Sequence, residues 1–535
     1  MRLRKALAVT ILFAATTFAA YAPSIRTDNN TDMLLVRLST RSGVPLPASF
    51  YSKPMKSAEV LKFVTSCDSA IGTWFTPAER TQIDRLVRKL TGARNLYAFN
   101  KADHDINSYL DLSLLGTGKA STVDTKNNTR LAGRGTINPE FAGHLRNLSF
   151  YTDISVWSDY DNDTSYPRSS YQPYNGDPYN LYGRSTKTST IRSSDIFRGG
   201  ISLDMKRISL EMGIDHISSG PAQLYQVTWS DSAAPALYAR TIMHLGAFEY
   251  VHTVGRLYMQ RELPKYFYTH RLQVPLFKKH LVFGINEMIL YGSTSAQTQT
   301  DSLRPDYYGE TRTWEPIYFI PFVPFSFAQH YLGDRDNAAI SFDADLHLPL
   351  NLRFFGEALI DDISAPWTIL SNDWGNKWAV SAGAQWFGTL ASHRVDLSAE
   401  YERIRPWVGT HFYGGSHNME NYGQPIGAQI GPNADAGTFK ITTDINRMFN
   451  VGVYVTASRK GKGRGSSLTD VFQDSGRTTK ADTTKVAFLA GGHTTTEIGG
   501  LTVRFTPVEI FTVNADLNID NKKRPTFSIG GGFSF

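Results

Sequence analysis

Apolar and polar residues alternate with a period of two through most of the chain beyond about Leu145. The clearest example is AISFDADLHLPLNLRFFGEALIDD, residues 339–362, where the alternation continues on both sides of a turn at residues 349–351. This pattern predicts a β-hairpin with one apolar and one charged face. The apolar face would be the core of a soluble sandwich or the lipid-facing wall of a membrane barrel, and the hairpin by itself leaves both open.

The connections between the predicted strands favour a membrane barrel. Some are tight, as at Lys206 and Arg207, whereas others are long and polar, as over residues 159–195 and 460–484. Short turns at one end and long loops at the other are typical of outer-membrane barrels. At roughly 20–25 residues for a strand and its connection, the barrel region over residues 144–535 holds about 16 to 20 strands.

The charged face of the example hairpin would line the lumen of such a barrel. It carries a ladder of Asp343, Asp345, His347, Arg353, Glu357 and Asp361. We expect these side chains to fill the lumen as mutually paired charges, and the alternative is that they line a pore.

The N-terminal part of the chain has helical periodicity instead. In TPAERTQIDRLVRKLTG, residues 76–92, Thr76 and Glu79 form a capping box and Pro77 takes the first helical position. Apolar residues then recur at helical spacing until Gly92. Residues 32–43 and 57–67 give two further candidate helices, so we predict a small periplasmic helical region over residues 23–143.

The two ends of the chain indicate export and barrel closure. Residues 1–22 have three basic residues among the first five and then an apolar run of 15 residues, the layout of a cleaved signal peptide. A spanning helix would need about 20 residues. The last stretch, FSIGGGFSF, alternates aromatic and small residues up to Phe535. We expect it to be the final strand that closes the barrel against the first.

Composition agrees with a barrel wall and excludes other classes. The chain has 43 Gly, 26 Tyr and 31 Phe but only 41% hydrophobic residues, as expected where alternate positions need not be apolar. The net charge of +6 is mild for this length and no nucleic-acid motif accompanies it, so we expect no nucleic-acid partner. With Cys67 as the one cysteine, no intrachain disulfide can form.

Motifs of catalysis and metal binding are missing from the sequence. There is no H-E-x-x-H, no G-x-S-x-G and no Gly-rich phosphate loop, so we expect no enzyme activity, cofactor or metal. Asp159, Asp161 and Asp163 have the spacing that starts a calcium loop. Thr164 and Ser170 stand where that loop needs Gly and Glu, so the motif fails.

Several segments resemble the Wzi-type capsule assembly family. They are HYLGDRDNAAISFDADLHLPLNLRFFGEALIDD (residues 330–362), GIDHISSGPAQLYQVTWSDSAAP (213–235), EYERIRPW (400–407), NYGQPIGAQIGPNADAG (421–437) and the helical LSTRSGVPLPASFYSKPMKSAEV (38–60). The motif positions that match are Gly220, Pro221, Gly333, Asp334, Asp336, Asn337, Arg405 and Pro406. Two positions depart from the family pattern: Ser219 replaces a Trp and Ala222 replaces a Gly.

The resemblance implies an 18-stranded outer-membrane barrel with a helical region on its periplasmic side. It also implies a lectin that holds capsular or other surface polysaccharide at the cell surface of a Gram-negative bacterium, and not an enzyme. The partners would then be this polysaccharide, outer-membrane lipid and lipopolysaccharide, and the barrel-insertion machinery. We expect a monomer.

Two loops offer candidate polysaccharide-binding residues. Tyrosine presents a flat apolar face and a hydroxyl, which suits a sugar, and one loop concentrates Tyr160, Tyr166, Tyr171, Tyr174, Tyr179 and Tyr182. The alternative is a self-packed loop with tyrosines at the membrane interface. The sequence RKGKGRG carries four cations, Arg459, Lys460, Lys462 and Arg464, which would attract an acidic polysaccharide or lipopolysaccharide phosphates. The alternative there is a solvated loop tip.

The motif positions around Gly333, Asp334, Asp336 and Asn337 form a turn-rich cluster at the entry to a strand. Asx and Gly residues stabilise turns, so we expect a structural turn, with a ligand site as the alternative. For the whole chain, a diffusion channel with an open lumen and an outer-membrane hydrolase with a Ser/His or Asp/His cluster are the competing functional hypotheses.

Overall fold

The computed structural model describes residues 24–25, 29–71, 75–91, 96–101, 106–122, 129–161, 191–258, 264–293, 311–472 and 482–534. The predicted signal peptide and the end residue Phe535 lie outside these ranges.

Eighteen antiparallel strands form a closed barrel. They are β1 (Ile106–Thr122), β2 (Thr129–Leu145), β3 (Leu148–Asp161), β4 (Ile191–Asp204), β5 (Ile208–Asp215), β6 (Ala236–Leu245), β7 (Phe248–Tyr258), β8 (Pro264–Leu276), β9 (Leu281–Gly292), β10 (Asn337–Leu348), β11 (Leu352–Asp362), β12 (Lys377–Leu390), β13 (His393–Ile404), β14 (Ala434–Asp444), β15 (Phe449–Gly461), β16 (His493–Val508), β17 (Phe511–Asp520) and β18 (Pro525–Ser534).

The last strand closes the barrel, as predicted. β18 pairs antiparallel with β1, and Phe533 lies opposite Leu114. A short strand, Tyr97–Lys101, pairs with the first residues of β1 and extends the wall there. Because β18 pairs with β1, the sheet of β1–β18 closes on itself and none of these strands is an edge strand.

The two faces of the wall have opposite polarity. On β10, Ser341, Asp343 and Asp345 point into the lumen and are buried, whereas Ile340 and Phe342 point outward and are partly exposed. Outward residues of other strands are similarly apolar and about half exposed, among them Ile137, Val156, Ile201, Val453 and Ile529. This confirms the predicted barrel with an apolar outer face, the surface that lipid would cover.

Three helices form a small bundle at one end of the barrel. They are α1 (Asn29–Ser42), α2 (Ser57–Ile71) and α3 (Pro77–Thr91). The predicted capping box of α3 is present: the Thr76 N–H donates to Glu79 Oε2 at 2.7 Å and the Glu79 N–H donates to Thr76 Oγ1 at 3.2 Å. No helix among the described residues is both long enough and apolar enough to cross a membrane.

The barrel begins earlier in the chain than predicted. β1 and all but the last two residues of β2 lie inside residues 23–143, the range assigned to the helical region. The last helix of that region ends at Thr91, and the wall begins with the short strand Tyr97–Lys101 and β1. The reason is local composition. In LSLLGTGKAST of β1 and RLAGRGTINPEF of β2, glycines and small polar residues occupy both faces and weaken the alternation.

The bundle plugs the barrel rather than lying beside it. Its apolar core includes Val60, Ile83 and Leu86 and continues into Val282 and Phe387 of the wall. This end of the barrel carries the short turns, such as residues 146–147, 205–207, 349–351 and 391–392, and we call it the turn end. The opposite end carries the long connections, and we call it the loop end.

Buried charges attach this plug to the wall. The guanidinium of Arg37, which is fully buried, contacts the carboxylates of Glu79 and Asp396 and donates to the carbonyl oxygen of Gly388 at 2.9 Å. Lys56 Nζ donates to Asp204 Oδ1 at 2.6 Å. Without these carboxylate partners, Arg37 and Lys56 would be buried cations with less compensation, whereas Asp204 itself is 48% exposed.

Acid is expected to loosen the plug through Glu79. Burial by itself would raise the pKa of Glu79, but Arg37 and Arg41 outweigh it and lower the pKa to about 2. Because the folded-state pKa is below the unfolded value of about 4.3, this stabilisation is complete above that pH and is lost as the pH falls toward 2. It amounts to about 3 kcal/mol. The protection factors of α1–α3 against hydrogen exchange, corrected for the intrinsic rate at each pH, should fall over this range in the wild type and fall less in Glu79→Gln. Unchanged wild-type protection at pH 2.5 would contradict this.

A segment over residues 311–336 covers part of the outer wall at β7–β9. Tyr318 and Phe325 pack on Tyr268 and Ile289. Phe325 is the first residue of a short helix, α4 (Phe325–Tyr331). Phe322 stacks on Tyr250 at 4.2 Å between ring centroids. The segment therefore replaces lipid over this part of the barrel.

Candidate functional site

Two connections from the loop end fold into the lumen, the β5–β6 loop (residues 216–235) and the β13–β14 loop (residues 405–433). Trp229 and Val227 of the first pack with Met419 and Ile426 of the second in one apolar cluster. Between these loops and the plug, the side of the lumen lined by β6–β13 is filled by the protein's own chain.

Wall carboxylates hold the β5–β6 loop in place. Glu357 accepts hydrogen bonds from the amides of Ala222 and Val227, each at 3.1 Å, and Glu400 accepts one from Leu224 at 3.0 Å. Carboxylates bonded to several amides are strong acceptors, because each bond is charge-assisted. The loop is thus held through its backbone amides. Every residue type except proline has such an amide, so the sequence could not predict the contacts with Glu357 and Glu400.

The ladder of lumen charges is partly paired as predicted. Arg353 donates to Asp345 at 2.8 Å and Arg271 donates to Asp343 at 2.6 Å. Glu357 and Asp361 instead accept backbone amides, the latter from Gly409 at 2.9 Å. These carboxylates therefore hold the inward loops, a role that the prediction of mutual ion pairs did not include.

Gly220 and Pro221 lie where the β5–β6 loop contacts both the plug and the wall. Gly220 has φ +107° and its N–H donates to the Tyr51 carbonyl oxygen of the plug at 3.0 Å. A Cβ at this position would lie 2.3 Å from Glu357 Oε1. Arg353 donates to the Pro221 carbonyl oxygen at 2.8 Å. Only glycine fits here, because both the backbone conformation and the space exclude a side chain.

The other motif positions also hold backbone in place. Gly333 and Asp334 have φ of 89° and 55° in the turn after α4, which fits the expected structural turn. Asp336 pairs with Arg312 and accepts the Tyr318 hydroxyl at 2.8 Å, and Asn337 donates to the His417 carbonyl oxygen at 2.8 Å.

Arg405 and Pro406 lie at the start of the β13–β14 loop, and both are buried. Arg405 donates to the Ser371 carbonyl oxygen at 3.0 Å, so it links this loop to the β11–β12 connection.

The opposite side of the lumen contains a cavity of about 660 Å³. It lies between α1, α3 and strands β13–β17 and reaches Gln223 and Leu224 of the β5–β6 loop. Its charged lining residues are Arg85, Lys89, Arg394, Lys440, Arg447, Arg504, Asp396, Glu400, Asp444 and Asp516. Such a polar cavity would hold water or small polar solutes.

Parts of three connections meet at the loop end. They are residues 363–376, the start of the β13–β14 loop around Trp407, and the described residues 462–472 and 482–492, and we call the surface that they form the loop platform. Trp374 stacks on Phe472 with ring centroids 3.7 Å apart, and Trp407 meets Phe472 edge-on at 5.5 Å. These aromatic rings come from three different loops, so the platform exists only in the folded chain.

Charged side chains surround the aromatic rings of the loop platform. Lys485 contacts Asp373, and this contact holds the pKa of Asp373 below its usual range. Arg464 pairs with Asp482, with the second of its two hydrogen bonds at 2.8 Å. Lys485 and Arg464 keep 68% and 50% of their side-chain surface exposed, so both remain accessible to a ligand.

The four predicted cations do not act together. Arg459 and Lys460 lie in β15, which runs to Gly461, and not in a flexible loop. Arg459 pairs with Asp435, and Lys460 donates to the carbonyl oxygens of Ile430 and Pro432, each at 2.7 Å. Lys460 thus holds the end of the β13–β14 loop, and Arg459 binds the start of β14. Arg464 belongs to the loop platform, and Lys462 is exposed beside it.

Of the six predicted tyrosines, Tyr160 lies near the end of β3 and is 46% exposed. Tyr166, Tyr171, Tyr174, Tyr179 and Tyr182 lie outside the described residues. Sequence reasoning missed Trp374, Phe472 and Lys485. Each is isolated in a polar connection, and no local signal marks loops that meet only in three dimensions.

Comparison with known proteins places the fold. No protein-family model and no curated protein sequence matches the chain. Wzi of Escherichia coli, an outer-membrane protein involved in group 1 capsule assembly and a carbohydrate-binding β-barrel, is structurally similar over 97% of this chain and 99% of its own, with a TM-score of 0.58 and 12% identity.

Similar structures also include two Pseudomonas aeruginosa proteins. OccK8 (OprE) has a TM-score of 0.42 and 9% identity, over 80% of this chain and 98% of its own. OccK2 (OpdF), solved with glucuronate, has a TM-score of 0.43 and 8% identity, over 80% and 96%. The similarity to Wzi, together with the closed sheet, shows that the chain has the fold of an outer-membrane β-barrel.

Proposed function

We propose that this barrel binds capsular or another surface polysaccharide at the surface of a Gram-negative cell and thereby serves capsule assembly, without catalysis. The observation that carries the proposal is a combination of two features. The lumen is filled on the β6–β13 side by the plug and the inward loops, and a platform of partly exposed aromatic rings and exposed charges lies at the loop end. The similarity to Wzi, a carbohydrate-binding barrel, over nearly the whole chain supports it.

We assign the orientation of the barrel in the membrane from the usual arrangement of outer-membrane barrels. Long loops face outside and short turns face the periplasm, so the loop platform is extracellular and the plug is periplasmic. Lipid and lipopolysaccharide surround the apolar outer face. The closing strand β18 is the part that barrel-insertion machinery would engage. We propose a monomer, since the sheet closes within one chain.

The chemistry of the loop platform suits a sugar chain. Trp374 and Phe472 stack on each other but stay partly exposed, and their accessible apolar surface would pack against the C–H surface of a sugar, while carboxylates and cations bind its hydroxyls and acidic groups. A rigid barrel beneath the loops limits the ordering cost of binding.

Removal of the central side chains of the platform should abolish most of the binding. Purified protein would be titrated with the surface polysaccharide of its host. We expect Trp374→Ala combined with Lys485→Ala to weaken binding by roughly tenfold or more, because aromatic and charged anchors dominate such interfaces.

The matched control is Tyr331→Ala combined with Arg524→Ala, which removes an exposed aromatic and an exposed cation elsewhere. It should bind like the wild type. Equal binding by both variants and the wild type would refute the loop platform as the site.

A diffusion channel is the second candidate, and the 660 Å³ cavity beside the plug is the observation that favours it. To conduct, this cavity must continue past Gln223 and Leu224, which Glu400 holds. Steady single-channel conductance of the wild type in a planar bilayer would support the channel.

A further inference from the structure

Three side chains from the plug and the wall converge at the turn end. Glu59 lies in the first turn of α2, His244 lies near the end of β6, and Glu249 lies near the start of β7. His244 and Glu249 are direct partners in the β6–β7 hairpin, so the register of the sheet fixes their proximity. We call this group the Glu59–His244–Glu249 cluster.

The distances in this cluster are close to those of a metal site. One ligand atom from each of the three side chains lies within 4.8 Å of the others, and His244 Nδ1 is 3.3 Å from Glu249 Oε2. Ligands bound at about 2.0–2.2 Å in a tetrahedral site are roughly 3.3–3.6 Å apart. Small side-chain rotations would therefore bring all three onto one ion.

The Glu249 carboxylate is buried beside a second carboxylate, that of Glu59. It is only 6% exposed, and the only contact of its Oε2 atom with a donor among the described residues is the 3.3 Å contact with His244 Nδ1. A buried carboxylate with one weak donor is costly, and a second carboxylate beside it adds repulsion. The nearby cation Lys56 is bonded to Asp204 at 2.6 Å and lies 3.7 Å from Glu211.

The Glu59 carboxylate is already oriented by its own partners. Its Oε2 atom accepts the Ser49 N–H at 3.1 Å and the Ser49 hydroxyl at 2.8 Å. Hydrogen bonds of this kind orient a carboxylate ligand and are usual around metal ions. Ser49 belongs to the same N-terminal region as Glu59, so this orientation comes from the plug itself and not from the wall.

We propose that the Glu59–His244–Glu249 cluster binds a divalent transition-metal ion of the zinc type, which ties the plug to the β6–β7 hairpin. One imidazole nitrogen and two carboxylate oxygens are a donor set that zinc accepts, with water in the fourth position. The ion offsets the repulsion of the two carboxylates and makes the attachment of the plug dependent on periplasmic metal.

The test is a zinc titration of the full-length protein, refolded and stripped with a chelator, followed by calorimetry. We expect one zinc ion per chain, and roughly tenfold or more weaker binding in Glu59→Gln and Glu249→Gln. Zinc should also slow hydrogen exchange in α2 and in the β6–β7 hairpin of the wild type. Glu509→Gln is the matched control, because Glu509 also links plug and wall, through Arg88 at 2.5 Å.

The test does not depend on a variant that may fail to fold. Gln keeps the shape of Glu, and the first titration uses the wild-type protein. No zinc binding by the wild type, or equal binding by the wild type, Glu59→Gln and Glu249→Gln, would overturn it.

Discussion

Replacement of Arg37 by methionine is expected to release the helical plug from the barrel. Arg37 contacts Glu79 within the plug and Asp396 on the wall, and all three side chains are nearly inaccessible to water. The substitution removes the cation that the two buried carboxylates share and leaves Glu79 with Arg41 at 2.6 Å and Asp396 with Arg394 at 3.3 Å. Breaking a buried pair in this way costs up to about 3–5 kcal/mol. We expect fast proteolysis and fast hydrogen exchange of α1–α3, while the strands of the barrel stay protected.

Arg80→Met is the matched control for this prediction. Arg80 pairs with Asp68 within the plug, but 36% of its side chain is exposed. Exposed pairs contribute about 0–1 kcal/mol, so this variant should keep its plug attached. If Arg37→Met and Arg80→Met have equal effects, the buried charges do not attach the plug.

Replacement of Gly220 by valine should open the loop-end side of the lumen. A Cβ would meet Glu357 Oε1 at 2.3 Å, and φ of +107° is strained for a branched residue. Strain of about 1–3 kcal/mol adds to the loss of the amide bonds that Glu357 accepts. The β5–β6 loop should leave the lumen, and the variant should show conductance steps in a planar bilayer that the wild type lacks.

Gly246→Ala separates backbone strain from the close contact. Gly246 also has a positive φ of 71°, but nothing lies within 4 Å of an added Cβ. This substitution should lower the free energy of unfolding by about 1 kcal/mol and leave the conductance at the wild-type level. Conductance steps in Gly246→Ala, or none in Gly220→Val, would show that the contacts of Gly220 with the plug and with Glu357 do not close the lumen.

The sequence predicted those elements whose signal is local. The capping box of α3 needs only Thr76 and Glu79, and the β10–β11 hairpin needs only the alternation around its turn. The terminal strand was recognisable because its alternation reaches the chain end. β1 and β2 were missed because glycine and small polar residues lie on both faces there, so apolar and polar residues do not alternate with a period of two.

Features that depend on distant contacts could not be predicted. The loop platform needs Trp374 and Phe472 from separate loops, and the inward β5–β6 loop is held by backbone amides, which every sequence has. The expectation of no metal came from the absence of a local motif. Glu59, His244 and Glu249 carry no such motif, because the sheet register and the plug bring them together.

The central claim is that the protein binds polysaccharide at its surface and does not transport it. Proteoliposomes carrying the wild-type protein would be incubated with labelled host polysaccharide and its oligosaccharides, and both bound and internalised label would be measured. The account predicts saturable binding to the outside with no internal label. Internal label that accumulates without saturable binding would contradict it and identify a diffusion channel.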